Sequence, residues 1–353
     1  MLMIGLGIVG TGGIAAIHAR NFPPIAGCKL VAACDVDAER VKAFCATHEI
    51  PKHYTEVDAL LADKSVDAII NATPDPFHAP ISIQALAAKK HVLCEKPLAL
   101  DFPEAQTMVK AAAGTGLINM VNFAHRFAPA VQEIARFIAE GALGEIVHLD
   151  ACYLQSWLVS RGYGDWRSTS SLTWKLSKAH GSRGVLGDLG VHIFDLATFP
   201  VGPLKTVDTR LKTFHEIKGG KHEDFVLDAN DTAMATVEFN NGALGTIQTS
   251  RWAVGYLNSI QMRIFGSKAS LRYDVDQGAD RLEICRNGDV DTGIWKAIKC
   301  PPTPSVSQRF ITSIQTGVND QPDFKRGAEV QAMLDACFRS DEKRAPVGLG
   351  ETD

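Results

Sequence analysis

Residues 1–22 read MLMIGLGIVGTGGIAAIHARNF and hold two overlapping matches to the spacing G-x-G-x-x-G/A. One runs Gly5, Gly7, Gly10; the other runs Gly10, Gly12, Ala15. Such a spacing builds a phosphate-binding turn only where a strand precedes it, a helix follows it and an acidic residue stands about 20 positions on. The pyrophosphate rests on the helix N-terminus and the acid binds a ribose. The first register fails, because it leaves only MLMI as a strand and sets the helix-breaking TGG where its helix would begin. The second makes LMIGLGIV the strand and GIAAIHARNF the helix, with Ile14, Ala15 and Ile17 expected to face a sheet. Counting 20 residues from Ala15 reaches Asp35, at the end of the apolar run KLVAACDV.

In this register Gly10 makes the tight turn, Gly12 lets the backbone approach the pyrophosphate and Ala15 permits close helix–strand packing, with Thr11, Gly13 and Ile14 completing the loop. Asp35 would accept hydrogen bonds from both ribose hydroxyls and repel a phosphate there, so NAD is expected over NADP. Arg40, on the next segment, is the side chain that would meet such a phosphate, which keeps NADP open as an alternative. A surface helix arginine is its plainer reading.

The rest of the chain sets bounds on this reading. A length of 353 residues, 46% of them hydrophobic, suffices for two packed cores. A formal net charge of −4 and a pI near 6.3, with no basic run, argue against nucleic acid as a partner. No stretch of apolar residues is long enough to span a bilayer, and the apolar N-terminus has no basic flank, so neither membrane nor signal peptide is expected. The eight scattered cysteines form no C-x-x-C pair and read as buried, reduced thiols of a cytoplasmic protein.

Strand and helix patterns alternate to about residue 122, and the near-continuous apolar strands suit a parallel sheet covered on both faces. Residues 1–123 are therefore expected to form a doubly wound α/β, Rossmann-type domain that binds the dinucleotide. AVQEIARFIAEGAL then reads as a connecting helix. From EIVHLDACYL onward come long β-branched runs, among them TVDTRLKTF, DTAMATVEF, ALGTIQTSRW and SIQMRIFG, broken by turn signals. Residues 124–353 are expected to be an α+β domain with a large, open, mostly antiparallel sheet and helices near 187–199, 305–317 and 327–340.

Residues with chemistry gather at a few places. CEKPLAL sets Glu95, Lys96 and Pro97 just after the strand HVLC, at the carboxyl end of the sheet, where doubly wound folds bind ligands. NATPDPFH occupies a similar strand end. In GVLGDLGVHIFDLATF, Asp188 and His192 stand four apart and share a helix face. By themselves Lys96 with Glu95 could be a salt bridge, and Asp188 with His192 a surface pair or two metal ligands. Together, GIVGTGGIA, CDVD, the TP turn with His78, EKP, the segment Arg126–Pro129, DLGVH and FGSKASL resemble the Gfo/Idh/MocA family of sugar and cyclitol oxidoreductases, over nearly the whole chain.

The resemblance implies a Rossmann domain followed by an open-faced sheet domain, an active site between them, and a homodimer or homotetramer assembled through the sheet. It implies no metal. Thr73, Pro74, His78, Glu95 and Lys96 fall in its cofactor-binding loops, and Lys96, Asp188 and His192 on its catalytic positions. Two departures stand out: GSRGVLGD replaces a run of three glycines before the aspartate, which bears on substrate contacts through Arg183, and TPD stands where TPN is frequent, which bears on the nicotinamide-side loop.

The side chains make chemical sense of this. Taking a hydride from a carbinol carbon requires its hydroxyl proton to leave in concert, and a histidine titrates near working pH whereas a lysine must be shifted far down to act as base. His192 is accordingly expected to be the general base, Lys96 the charge that binds and polarises the substrate oxygen, and Asp188 a partner of the substrate or of Lys96. Lys96 as base is the alternative. Trp157, Arg161, Trp166, Arg167, Trp174 and Lys175 form an aromatic and basic stretch suited to stack on a sugar ring and bind its hydroxyls. Trp166, Arg167 and Arg126 join Lys96, Asp188 and His192 as expected substrate contacts, although tryptophans anchoring an irregular segment would look the same. Two other functions fit the same residues: an NAD-dependent glycosidase working through transient oxidation, and a dinucleotide sensor without catalysis.

Overall fold

A computed structural model describes residues 3–168, 170–214 and 220–350. The chain divides into two compact units, Met1–Ala124 with Pro304–Gln331, and His125–Thr303 with Ala332–Asp353. The first unit has six parallel strands, β1 (Ile4–Val9), β2 (Cys28–Cys34), β3 (Lys52–Tyr54), β4 (Ala68–Asn71), β5 (His91–Cys94) and β6 (Asn119–Val121), in the order β3-β2-β1-β4-β5-β6. Every residue of β1 is buried. Gly5 and Gly7, the discarded first register, belong to this strand, and a β-carbon on Gly5 would fall 1.8 Å from the Ser65 carbonyl oxygen. They are packing glycines.

Five helices, α1 (Gly13–Asn21), α2 (Ala38–Thr47), α3 (Val57–Ala62), α4 (His78–Ala87) and α5 (Phe102–Ala112), cross between these strands. The caps follow local chemistry: the Asp37 carboxylate accepts from the Arg40 N–H at the start of α2, and Asp101 accepts from the Glu104 N–H at the start of α5. The sheet order reverses between β2-β1 and β4-β5, which is where such a fold opens a crevice at the carboxyl ends of its strands. Helix α1 departs from expectation. Ile14 and Ile17 are 47% and 44% exposed, and the buried stripe is Ala15, His18 and Ala19. Two alanines let the helix lie close to the sheet, and His18 turns inward because a buried acid waits for it.

The second unit opens with helix α6 (Pro129–Ala139) and strand β7 (Ile146–Gln155), and continues through the short α7 (Ser170–Thr173) to α8 (Val191–Val201). Strands β8 (Leu204–Lys212), β11 (Thr232–Phe239), β12 (Leu244–Ser250), β13 (Asn258–Gly266), β14 (Ala269–Asp274), β15 (Arg281–Arg286), β16 (Lys296–Lys299) and β17 (Val347–Gly348) complete its sheet. A small hairpin, β9 (Lys221–His222) with β10 (Phe225–Val226), stands apart from it. The nine strands are ordered β16-β15-β14-β13-β7-β12-β11-β8-β17, antiparallel except for β7 beside β12. Side chains such as Leu149, Ile247 and Ile264 are buried on one face, against which α8 packs through β7 and β12. Helix α9 (Val306–Thr316), started by a capping box of Ser305 and Gln308, returns to the first unit, and α10 (Phe324–Lys343) follows.

All eight cysteines are buried and unbridged. Among the described residues no helix is long and apolar enough to cross a membrane, and no group of three or more histidine, cysteine or acidic side chains could hold a metal ion.

Candidate active site

In the first unit the phosphate loop sits where β1 ends. Gly10 has φ +85°, and a β-carbon there would lie 2.6 Å from the Ala72 carbonyl oxygen, so only glycine makes this turn. At Gly12 and Gly13, by contrast, an added β-carbon would meet nothing within 4 Å. The start of α1 has no side-chain cap and no acidic residue in its first turn. An uncapped helix N-terminus facing open space is what a pyrophosphate requires.

Asp35, at the end of β2, accepts hydrogen bonds from the Thr11 N–H (2.8 Å) and hydroxyl (2.7 Å), from the Asp37 N–H (3.1 Å) and from Arg40 Nη2 (2.6 Å). Burial alone would raise its pKa, but these donors outweigh it and hold the carboxyl at about 2. Arg40 is thus tied to Asp35, a pairing that the i,i+5 spacing did not announce. The Thr11 hydroxyl and the Arg40 guanidinium are the two side-chain donors to this carboxylate. The loop and its acid fit a dinucleotide.

The ends of β4 and β5 are joined by histidines. His78 Nδ1 lies 2.6 Å from the Pro97 carbonyl oxygen and its Nε2 lies 2.9 Å from that of Thr73, so one buried ring spans the two loops carrying Thr73–Pro74 and Lys96–Pro97. Glu95 is buried, with His18 Nε2 2.7 Å and Asn122 Nδ2 2.6 Å from its Oε1, while Oε2 accepts from the Lys96 N–H at 3.2 Å. Burial raises the Glu95 pKa, yet the hydrogen bond and charge of His18, then Asn122 and Lys96, bring it below the usual carboxylate range. His18 therefore runs from the phosphate-loop helix to the residue beside Lys96. It escaped the sequence reading because a histidine on a short helix carries no sign of its partner 77 residues away.

In the second unit Asp188 lies on a π-helical turn, Leu186–Gly190, which leads directly into α8 and its second residue, His192. Both Lys175 Nζ and Arg251 Nη2 lie 3.0 Å from Asp188 Oδ2. His192 is buried against His125, their ring centroids 4.7 Å apart and edge to face, with Tyr153 6.0 Å away. The Tyr153 hydroxyl donates to Asn258 Oδ1 at 2.8 Å. Neither His125 nor Tyr153 stood out in the sequence, although FAHRF placed one of them beside Arg126.

Several expected substrate contacts are employed otherwise. The Arg126 guanidinium is buried and forms a two-pronged pair with Asp195, one prong being Nε to Oδ2 at 2.9 Å, and it lies 4.4 Å over the Phe199 ring. Trp157 and Trp166 are buried in a cluster with Leu158, Leu176 and Leu227, so they present no open ring face. The Trp166 indole N–H donates to the Leu158 carbonyl. Arg167 is exposed and packs over Trp166 at 4.6 Å, while Trp174 and Lys175 remain half-buried. Arg183 pairs with Asp335 at 3.0 Å and covers the Phe338 ring. Apolar rings in an irregular segment pack on one another when nothing else buries them, and Trp166, expected to meet the substrate, is packed in this way.

Residues 4–123 match the family described as oxidoreductases with an NAD-binding Rossmann fold, and residues 131–272 match the GFO/IDH/MocA C-terminal domain. The chain belongs to the Gfo/Idh/MocA oxidoreductase family. It is 27% identical to a levoglucosan dehydrogenase of Pseudarthrobacter phenanthrenivorans over 82% of each chain. It is 28% identical to a myo-inositol 2-dehydrogenase of Thermotoga maritima, over 76% of this chain and 75% of that one. A solved structure of levoglucosan dehydrogenase with NADH and L-sorbose superposes with a TM-score of 0.88 at 26% identity, covering all of both chains. Membership of this Gfo/Idh/MocA family makes NAD the cofactor of the Rossmann unit, and the Pseudarthrobacter and Thermotoga relatives are dehydrogenases of a sugar derivative and of a cyclitol.

Proposed function

We propose that this protein is an NAD-dependent dehydrogenase that oxidises a ring carbinol of a sugar, sugar derivative or cyclitol. The observation that carries the reading is the Asp188–His192 turn, with its two cations, in a chain that also keeps an open phosphate loop and the Glu95–Lys96–Pro97 turn. NAD, when bound, supplies the hydride acceptor. The chain supplies the rest: His192 takes the hydroxyl proton as the C–O bond becomes a carbonyl, and the Lys96 ammonium stabilises charge that develops on that oxygen. Asp188 orients the substrate hydroxyls. Asp35 favours NAD over NADP.

Support for a ring substrate comes from the relatives, named for levoglucosan and myo-inositol, and no longer from the buried Trp157 and Trp166. The test is a kinetic comparison with NAD of pyranoses, anhydro-sugars, uronic acids and inositols against lactate- and malate-like acids. At least one ring compound should give the highest kcat/KM; a short hydroxy acid outperforming every ring would defeat the reading. We further propose a homo-oligomer formed through the open face of the nine-stranded sheet, where Met234 and Leu244 are exposed. Light scattering that returns only a monomer would remove that part.

A further inference from the structure

We propose that Arg251 is a positioning residue for this reaction: from a fully buried site it holds the Asp188 carboxylate in one orientation on the turn that leads into the helix of His192. The proposal rests on the assignment of Asp188 to the active site.

Arg251 directly follows β12 and is 0% exposed. Its Nη1 donates to the Lys175 carbonyl oxygen at 3.0 Å, and its Nη2 to Asp188 Oδ2 at 3.0 Å and, at 3.5 Å, to the Gly184 carbonyl oxygen. The guanidinium carbon lies 4.9 Å from the centre of the Trp157 ring. One planar group thus joins three separate pieces of chain, at residue 157, at residue 175 and at residues 184 and 188. Its charged neighbours are Asp188, the buried Asp231, whose carbonyl accepts from the Arg251 N–H, and Lys175, which shares its carboxylate oxygen.

The turn needs such a support. Leu186–Gly190 is π-helical, a wider and rarer winding than an α-helix, and the approach to it is bent by Gly184 at φ +69° and held by Asn230. Gly187 is packed so closely that a β-carbon would fall 2.4 Å from Arg183 Cβ. These features place the backbone at Asp188 but do not select the direction of its carboxylate. Lys175 alone is a poor selector, being half-exposed with a point charge on a flexible stem, whereas a guanidinium is a rigid fork. The same geometry explains Trp157: its ring face is stacked on a protein cation and not on a sugar.

Arg251→Lys keeps the buried positive charge and gives up the fork. In the full-length enzyme with the best ring substrate, it should lower kcat by about tenfold or more and change the NADH dissociation constant by less than about twofold. Added to Asp188→Asn it should cost nothing further, since both act through one carboxylate. Trp157→Phe, which shrinks the ring face under the guanidinium and leaves every charge in place, should reduce kcat in the same direction by less. A merely structural role would lower the thermal midpoint and leave kcat per NADH-binding site unchanged. Wild-type kcat in Arg251→Lys and Trp157→Phe, or a loss that adds in full to that of Asp188→Asn, would overturn the proposal. Wild-type kcat in Asp188→Asn would instead refute the assignment on which it rests.

Discussion

The two units hold their acids by different means. In the first, Asp35 and Glu95 are bound by backbone N–H groups, a threonine hydroxyl, an asparagine amide, a histidine and one half-exposed arginine. In the second, Asp188 and Asp195 are each met by a buried arginine, Arg251 and Arg126. The threonine hydroxyl and the exposed arginine on Asp35 can be exchanged for a ligand's hydroxyls at small cost. A buried guanidinium cannot, because removing its counter-charge leaves an unpaired ion away from water. Asp35 is thus open to the ligand that arrives, whereas Glu95, Asp188 and Asp195 are compensated by charged side chains of the protein before anything binds.

The sharpest way to break this contrast is at Arg126. Arg126→Met leaves Asp195 as an uncompensated buried charge on the helix that carries His192, and should destabilise the fold by about 3–5 kcal/mol. A thermal or denaturant midpoint close to that of the wild type would show that the pair is solvated and the contrast false. Next come the residues proposed to touch the reacting oxygen. Lys96→Ala and His192→Ala should each lower kcat by roughly 10²-fold or more while leaving NADH affinity almost unchanged. Near-normal turnover in both would leave Glu95 and Asp188 as the centres of structural networks only.

The smallest effect belongs to Asp35. Replacing it with serine removes charge-assisted hydrogen bonds worth about 1.5–3 kcal/mol, so NAD efficiency should fall roughly tenfold or more while NADP is no longer repelled. An unchanged ratio of kcat/KM for the two cofactors would reject its role. The acid also has a pH signature. Its carboxyl sits at about 2, below its ordinary value near 4, so the stability it contributes is complete above about pH 4 and lost as pH falls through about 2. Asp35→Ser should abolish that contribution.

Much of the first unit was readable because its determinants are local. A strand, a glycine turn, a helix and an acid within about 35 residues decide the phosphate loop, and the choice of Gly10 and Gly12 over Gly5 and Gly7 follows from them. The i,i+4 spacing drew attention to Asp188 and His192, expected on one helix face; the structure divides them between the π-helical turn and the start of α8. What stayed hidden depends on residues far apart in sequence: Arg251 is 63 positions from Asp188, Arg126 is 69 from Asp195, and His18 is 77 from Glu95. Periodicity reports which face of an element is apolar and says nothing of which polar group will meet it. Ile14 and Ile17 show a related failure, since apolarity alone marked them as sheet-facing when the close approach allowed by Ala15 and Ala19 turned them outward. The tryptophans show another, because a ring suited to a sugar is equally suited to a core.

The most direct test follows the hydride itself. The best ring substrate, deuterated at its carbinol carbon, is incubated with the enzyme and NAD, and the deuterium content and yield of NADH are measured against the ring consumed. One deuterated NADH for each ring oxidised, with the signal lost in His192→Ala and Lys96→Ala, is the expected result. Ring consumed or cleaved without accumulation of NADH, or NADH free of deuterium, would contradict the assignment of this protein as a sugar or cyclitol dehydrogenase.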